Sequence, residues 1–124
     1  MEKKKILAID DSVAQLTTYQ GILSSTYTFR AAKSASEAMS FLNSNLADLV
    51  LLDIEMPNIS GFEFLGDIRK IPSYMDVPII IVSGNTEEGF LAQARNSRAN
   101  DVLIKPVKAE DLINSIEKAL AALG

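Results

Sequence analysis

Five short apolar runs recur along the chain, each bounded by polar or turn-forming residues: Lys5 to Ile9, Tyr27 to Ala32, Leu49 to Leu52, Pro78 to Val82 and Val102 to Ile104. Their lengths and bounds predict β-strands. Four are almost unbroken in hydrophobicity, as strands must be when helices cover both faces of a parallel sheet, whereas Tyr27, Phe29 and Ala31 alternate with Thr28 and Arg30 as suits an edge. The intervening segments carry helical spacing. Their predicted inner faces are Val13, Leu16, Gln20 and Leu23; Ala35, Ala38, Met39 and Leu42; Phe62, Leu65 and Ile68; and Leu112, Ile113, Ile116 and Leu120. Ser34 before Glu37, Ser60 before Glu63 and Asn85 before Glu88 stand at the offset by which a capping side chain and an acid satisfy free N–H groups at a helix start. The segment from Thr86 to Arg98 is the weakest helix. Gly89 interrupts it and only Phe90, Leu91, Ala92 and Ala94 offer an apolar face, so it is expected to be mobile.

Strand and helix alternating five times imply right-handed crossovers and an α/β fold, a doubly wound five-stranded parallel sheet with helices on both sides. Linkers are short and no repeat appears, so residues 1–124 are expected to form one domain. Hydrophobic residues at 48% supply a core at this length, which excludes intrinsic disorder.

Charge and missing residue types narrow the chemistry. Twelve Lys and Arg against sixteen Asp and Glu leave a net charge of −4, which argues against a nucleic-acid partner, because phosphate backbones call for clustered positive charge. Lys3, Lys4 and Lys5 form the only basic run and read as a solvated lead-in to the first strand. The following apolar stretch stops at Asp10, far short of the ~20 residues that span a membrane, so a cytoplasmic protein is expected. Absence of Cys and His excludes disulfides, thiolate or imidazole metal sites, Ser-His catalysis and a phosphohistidine on this chain.

In parallel sheets functional groups gather beyond the carboxyl ends of the strands. Asp10 and Asp11 follow the first strand, Asp53 and then Glu55 the third, Ser83 ends the fourth and Lys105 the fifth. Singly each has a bland account. Asp10, Asp11 and Ser12 could cap a helix, Asp53 could be a turn residue, Ser83 could belong to a helix-start loop, and Lys105 could be solvated. Together, three converging carboxylates repel unless neutralised. Asp10, Asp11 and Asp53 sum to −3, Lys105 adds +1, and a divalent cation would bring the cluster to zero. Carboxylate oxygens without His or Cys suit Mg²⁺, and a carboxylate can itself attack phosphorus to give an acyl phosphate.

The order Ile9-Asp10-Asp11-Ser12, Leu51-Leu52-Asp53-Ile54-Glu55-Met56-Pro57 with Ser60-Gly61-Phe62-Glu63, Ile81-Val82-Ser83-Gly84, and Ile104-Lys105-Pro106 closely resembles the receiver domain of two-component response regulators. The resemblance covers essentially the whole chain. It implies a flavodoxin-like (βα)5 sheet in order 2-1-3-4-5, with Asp53 as phosphoacceptor for the phosphoryl group of a partner phosphohistidine. It implies Mg²⁺ held by the side chains of Asp11 and Asp53 and the backbone carbonyl of Glu55, with Asp10 acting mainly through metal-bound water. Ser83 and Lys105 would each meet a phosphoryl oxygen, and Lys105-Pro106 would be cis. The implied partners are a sensor histidine kinase or histidine phosphotransfer protein, and an effector met through the fourth helix, fifth strand and fifth helix. Gly84 and Gly89 ease rearrangement there. No membrane partner is implied, and the state would be a monomer or a phosphorylation-dependent dimer.

Two positions depart from the family's habit: Val102 stands where receivers often carry Tyr or Phe, and Arg98 lies in a stretch that is often Gly. Without that ring, a signal from Ser83 would travel by backbone and loop motion or be weakly coupled. Glu55 brings an acidic side chain near the incoming donor or water. Because the chain ends at Gly124, a stand-alone switch like the chemotaxis regulators is expected, one that catalyses only its own phosphoryl transfer and dephosphorylation rather than turnover. Three other readings fit less well. An aspartyl phosphatase would place an Asp-x-Asp pair after the first strand, a flavin domain a Ser/Thr/Gly-rich loop there, and a degenerate receiver would lack one of the acidic, hydroxyl or lysine positions.

Overall fold

The computed structural model describes residues 3–122; Met1, Glu2, Leu123 and Gly124, the outer limits of the expected domain, lie outside the described residues. Strands β1 (Lys5–Ile9), β2 (Thr28–Ala32), β3 (Leu49–Asp53), β4 (Ile79–Ser83) and β5 (Asp101–Ile104) alternate with helices α1 (Val13–Leu23), α2 (Ala35–Ser44), α3 (Gly61–Arg69), α4 (Glu88–Arg95) and α5 (Ala109–Ala121). A 3-10 turn at Pro72–Tyr74 links α3 to β4. The sheet is wholly parallel in the expected order β2-β1-β3-β4-β5.

Every residue of β3 and β4 is buried, because these strands lie in the middle of the sheet with apolar side chains on both faces. One layer of core packs Leu7, Val50, Leu52, Ile79 and Ile81 against α2, α3 and α4. The other packs Ile6, Ala8, Leu49, Leu51 and Ile80 against α1 and α5. β2 occupies an edge as its alternation suggests, yet Arg30 and Ala31 are both exposed. β5 closes the opposite edge, and all its residues are half-buried despite an apolar run.

Ser12, Ser34 and Ser60 cap α1, α2 and α3, each accepting a hydrogen bond from the N–H three residues on. Two expectations fail locally. Val13 is 60% exposed, because it is the first residue of α1; the inner stripe is Leu16, Tyr19 and Leu23, and Gln20 faces solvent. Asn85 does not cap α4. Its side chain accepts from the N–H of Glu87 at 2.9 Å in a turn before the helix, while its own N–H is held by Ser83 Oγ at 3.0 Å. α4 therefore starts after Glu87 without a side-chain cap and is shorter than the segment from Thr86 to Arg98. Ala94 is its only buried residue.

Candidate functional site

The ends of β1, β3, β4 and β5 form one rim, since all strands run the same way. Apolar side chains fill the strands up to that rim, and the first polar residue after each run is left there. Asp10 follows β1 and is 1% exposed, and Asp53 closes β3 at 4%. Lys105, just past β5, reaches between them: its Nζ is 3.4 Å from Asp10 Oδ2 and 3.4 Å from Asp53 Oδ2. The peptide bond from Lys105 to Pro106 is cis, as the resemblance implied.

The carboxylates are also tied locally. Asp10 Oδ1 accepts from the N–H of Ser12 at 2.9 Å, and Asp53 Oδ1 accepts from the N–H of Glu55 at 3.0 Å. Exposed Asp11 joins the group, with one oxygen from each of Asp10, Asp11 and Asp53 lying within 4.8 Å of the others. Burial, with Asp10 alongside, pushes the Asp53 carboxyl above its ordinary range despite the Glu55 N–H and Lys105. Burial alone would lower Lys105, yet the two carboxylates outweigh it and hold its ammonium above the usual lysine value. One ammonium serving two buried carboxylates leaves the cluster short of positive charge.

Ser83, fully buried at the end of β4, turns its hydroxyl toward Glu55, donating to Glu55 Oε1 at 2.6 Å. The N–H of Gly84 donates to the same oxygen at 2.8 Å. The Ser83 bond is the main reason that the Glu55 carboxyl lies below its ordinary range. The structure thus brings Asp10, Asp11, Asp53 and Lys105 together and places Ser83 beside them, bonded to the side chain of Glu55. Val102 lines a groove of about 540 Å³ between α4 and β5, with Leu91, Ala94, Ala99 and Ile104.

Tyr19 escaped the sequence reading. Its ring is buried on α1 beneath the rim, where the charges of Asp10 and Asp53 reach it, and its hydroxyl has no hydrogen-bond partner among the described residues. Gln15, close by, does not reach bonding geometry. Its place in the stripe with Leu16 and Leu23 was the available signal.

A family model described as response regulator receiver domain matches residues 6–117. The chain is 34% identical over 117 residues to the CAI-1 autoinducer sensor kinase/phosphatase CqsS of Vibrio cholerae, covering 92% of this chain and 17% of that protein. It is 29% identical over 119 residues to the two-component response regulator ORR1 of Oryza sativa subsp. japonica, covering 87% of this chain and 52% of that one. The chain therefore spans about half the length of these relatives or less. Among solved structures, a CheY-like response regulator receiver domain protein from Methanospirillum hungatei JF-1 matches with a TM-score of 0.89 at 28% identity, over 98% of this chain and 96% of that one.

Proposed function

The chain belongs to the response regulator receiver domain family of two-component signalling, and we propose that within it Asp53 is the phosphoacceptor of a switch that takes its phosphoryl group from a partner phosphohistidine. The observation that carries this reading is the convergence of Asp10, Asp11, Asp53 and Lys105 on one rim, beside the Ser83 hydroxyl. An oxygen of Asp53 attacks phosphorus, a P–O bond forms, and the P–N bond breaks with its electron pair going to the imidazole of the donor. Lys105 stays paired with charge throughout, meeting a phosphoryl oxygen as the carboxylate becomes an acyl phosphate.

The donor set fits Mg²⁺: three carboxylates offer hard oxygens close together, two of them buried and short of positive charge. Asp10, Asp11 and Asp53 would hold it, with the Glu55 backbone carbonyl as a further ligand. The cation would neutralise repulsion between the carboxylates and an incoming phosphoryl group.

The partners of this reading are a histidine kinase or phosphotransfer protein upstream and an effector at the face of α4, β5 and α5. An α4 without a side-chain cap and with one buried residue is inexpensive to rearrange, which supports that output face. Among the described residues no helix is long and apolar enough to cross a membrane. The deciding experiment is intact mass after incubation with Mg²⁺ and acetyl phosphate. Wild type should gain one phosphoryl group and Asp53→Asn none; uptake by Asp53→Asn would overturn the assignment. Hydrogen exchange with beryllofluoride should change between residues 83 and 107, and unchanged protection there would remove the output face.

A further inference from the structure

The carboxylate of Glu55 already occupies the two donors at the end of β4. A single oxygen, Oε1, takes both the Ser83 hydroxyl and the Gly84 N–H, at 2.6 and 2.8 Å. These donors belong to the same rim as Asp53, and Lys105 there is committed to Asp10 and Asp53. A phosphoryl group on Asp53 brings anionic oxygens that call for the same kind of donor that a carboxylate oxygen now holds. Glu55 is exposed, apart from its ties at this rim, and can turn out to water.

We propose that Glu55 is a tethered competitor for the phosphoryl group: its carboxylate holds Ser83 and Gly84 until phosphoryl oxygens displace it. The inference rests on the phosphoacceptor reading and makes Glu55 a positioning residue that sets how readily the phosphorylated state forms. Phosphoryl entry then transfers the first residues of the loop that runs from β4 into α4 from Glu55 to the phosphoryl group. The bond to Asn85 is part of the same chain, since Ser83 Oγ also accepts from its N–H.

Three variants separate competition from plain charge repulsion. Glu55→Asp keeps the charge but is shorter by about 1.5 Å, the length of one C–C bond, and loses the reach to Ser83. Glu55→Gln keeps the reach and loses the charge, and Glu55→Ala loses both. The measurement is the apparent affinity for beryllofluoride in Mg²⁺, read by NMR, together with the Gly84 amide proton shift in the protein alone. Competition requires that Glu55→Asp and Glu55→Ala bind about tenfold more tightly than wild type, the worth of a hydrogen bond to a charged group, with Glu55→Gln between. It also requires the Gly84 amide proton to move upfield in Glu55→Asp. An unmoved Gly84 amide overturns the proposal. So does a Glu55→Asp affinity equal to wild type with Glu55→Gln alone tighter, which is repulsion. Acetyl phosphate labelling of Asp53 with equal affinities in all four proteins overturns the competition alone, whereas failure of wild type and every variant to take up phosphoryl overturns the phosphoacceptor reading and the competition with it.

Discussion

The two ends of the sheet handle buried charge in opposite ways. At the carboxyl end, Asp10 and Asp53 face one another with one partly exposed ammonium between them, and the site is left short of positive charge. At the amino end, Arg69 closes α3 with its side chain buried and no carboxylate within ion-pair distance among the described residues. Its guanidinium donates to the carbonyls of Tyr74, Met75, Val77 and Arg98 and to Asn100 Oδ1. Asn100 Oδ1 also accepts from the N–H of Ile79, so one cation pins the starts of β4 and β5 and the turn before them. Burial, with the nearby charge of Arg98, holds that guanidinium below its ordinary value. A fully satisfied charge contributes to stability and has nothing left for a ligand, while an under-neutralised cluster costs stability and retains affinity for a cation or phosphoryl group.

The sharpest way to break that contrast is Arg69→Met. It leaves four carbonyls without the guanidinium and takes one of two bonds from Asn100 Oδ1, which keeps the N–H of Ile79, and urea unfolding should show a loss of about 3 kcal/mol or more. Folded Arg69→Met should still accept phosphoryl from acetyl phosphate; a loss under 1 kcal/mol would erase the difference between the ends. Gly61→Ala tests packing at the other end. A Cβ there would fall on the Ile54 carbonyl oxygen and 2.6 Å from Ile54 Cγ1, so the loop between β3 and α3 must shift. Overpacking of that kind costs about 2 kcal/mol, measured by the same unfolding, with phosphoryl uptake impaired because the loop carries the Glu55 backbone carbonyl that would help to hold the cation.

Asp53→Asn should act in the opposite sense. Without divalent cations at pH 7 it should raise stability by about 1 kcal/mol, because a buried like-charge neighbour of Asp10 is removed. A destabilised Asp53→Asn would mean that the rim is as well neutralised as the Arg69 end. The smallest effect is at Tyr19, where Phe removes an unpartnered buried hydroxyl and should gain about 0.5 kcal/mol.

Tyr19 also bears on pH. Burial raises Tyr19, Tyr27 and Tyr74 above 10.0, so the native chain keeps protons that the unfolded chain has shed. Their contribution is intact below pH 10 and is lost as pH rises from 10 through the raised native values. Tyrosinate absorbance should therefore appear together with unfolding, and Tyr19→Phe should soften the alkaline decline. Tyrosinate that forms in a still-folded protein would contradict this.

Much of the rim was readable because a parallel sheet turns chain order into position: the residue after each apolar run must stand at one edge, wherever the helices lie. Asp10, Asp53, Ser83 and Lys105 followed from that alone. Arg69 did not, although it continues the stripe of Phe62 and Leu65 at helical spacing; a lone arginine at a helix end reads as solvated. Its partners are mostly backbone carbonyls from two segments, residues 74–77 and Arg98, which leave no mark on residue type. Val13 and Asn85 misled for a related reason, since whether a helix-start residue is covered, or a cap used, depends on where the neighbouring loop runs.

Sequence by itself determined the elements, their parallel order of use and the residue types at the rim, because periodicity and burial act locally along the chain. Only the tertiary structure decided which groups share a partner. It gave one lysine to two carboxylates, turned Ser83 toward Glu55 rather than Asp53, and set Arg69 among carbonyls. Those choices depend on side-chain reach and on distances between segments far apart in sequence, and hydrogen bonds fall off too steeply with distance to be inferred from spacing.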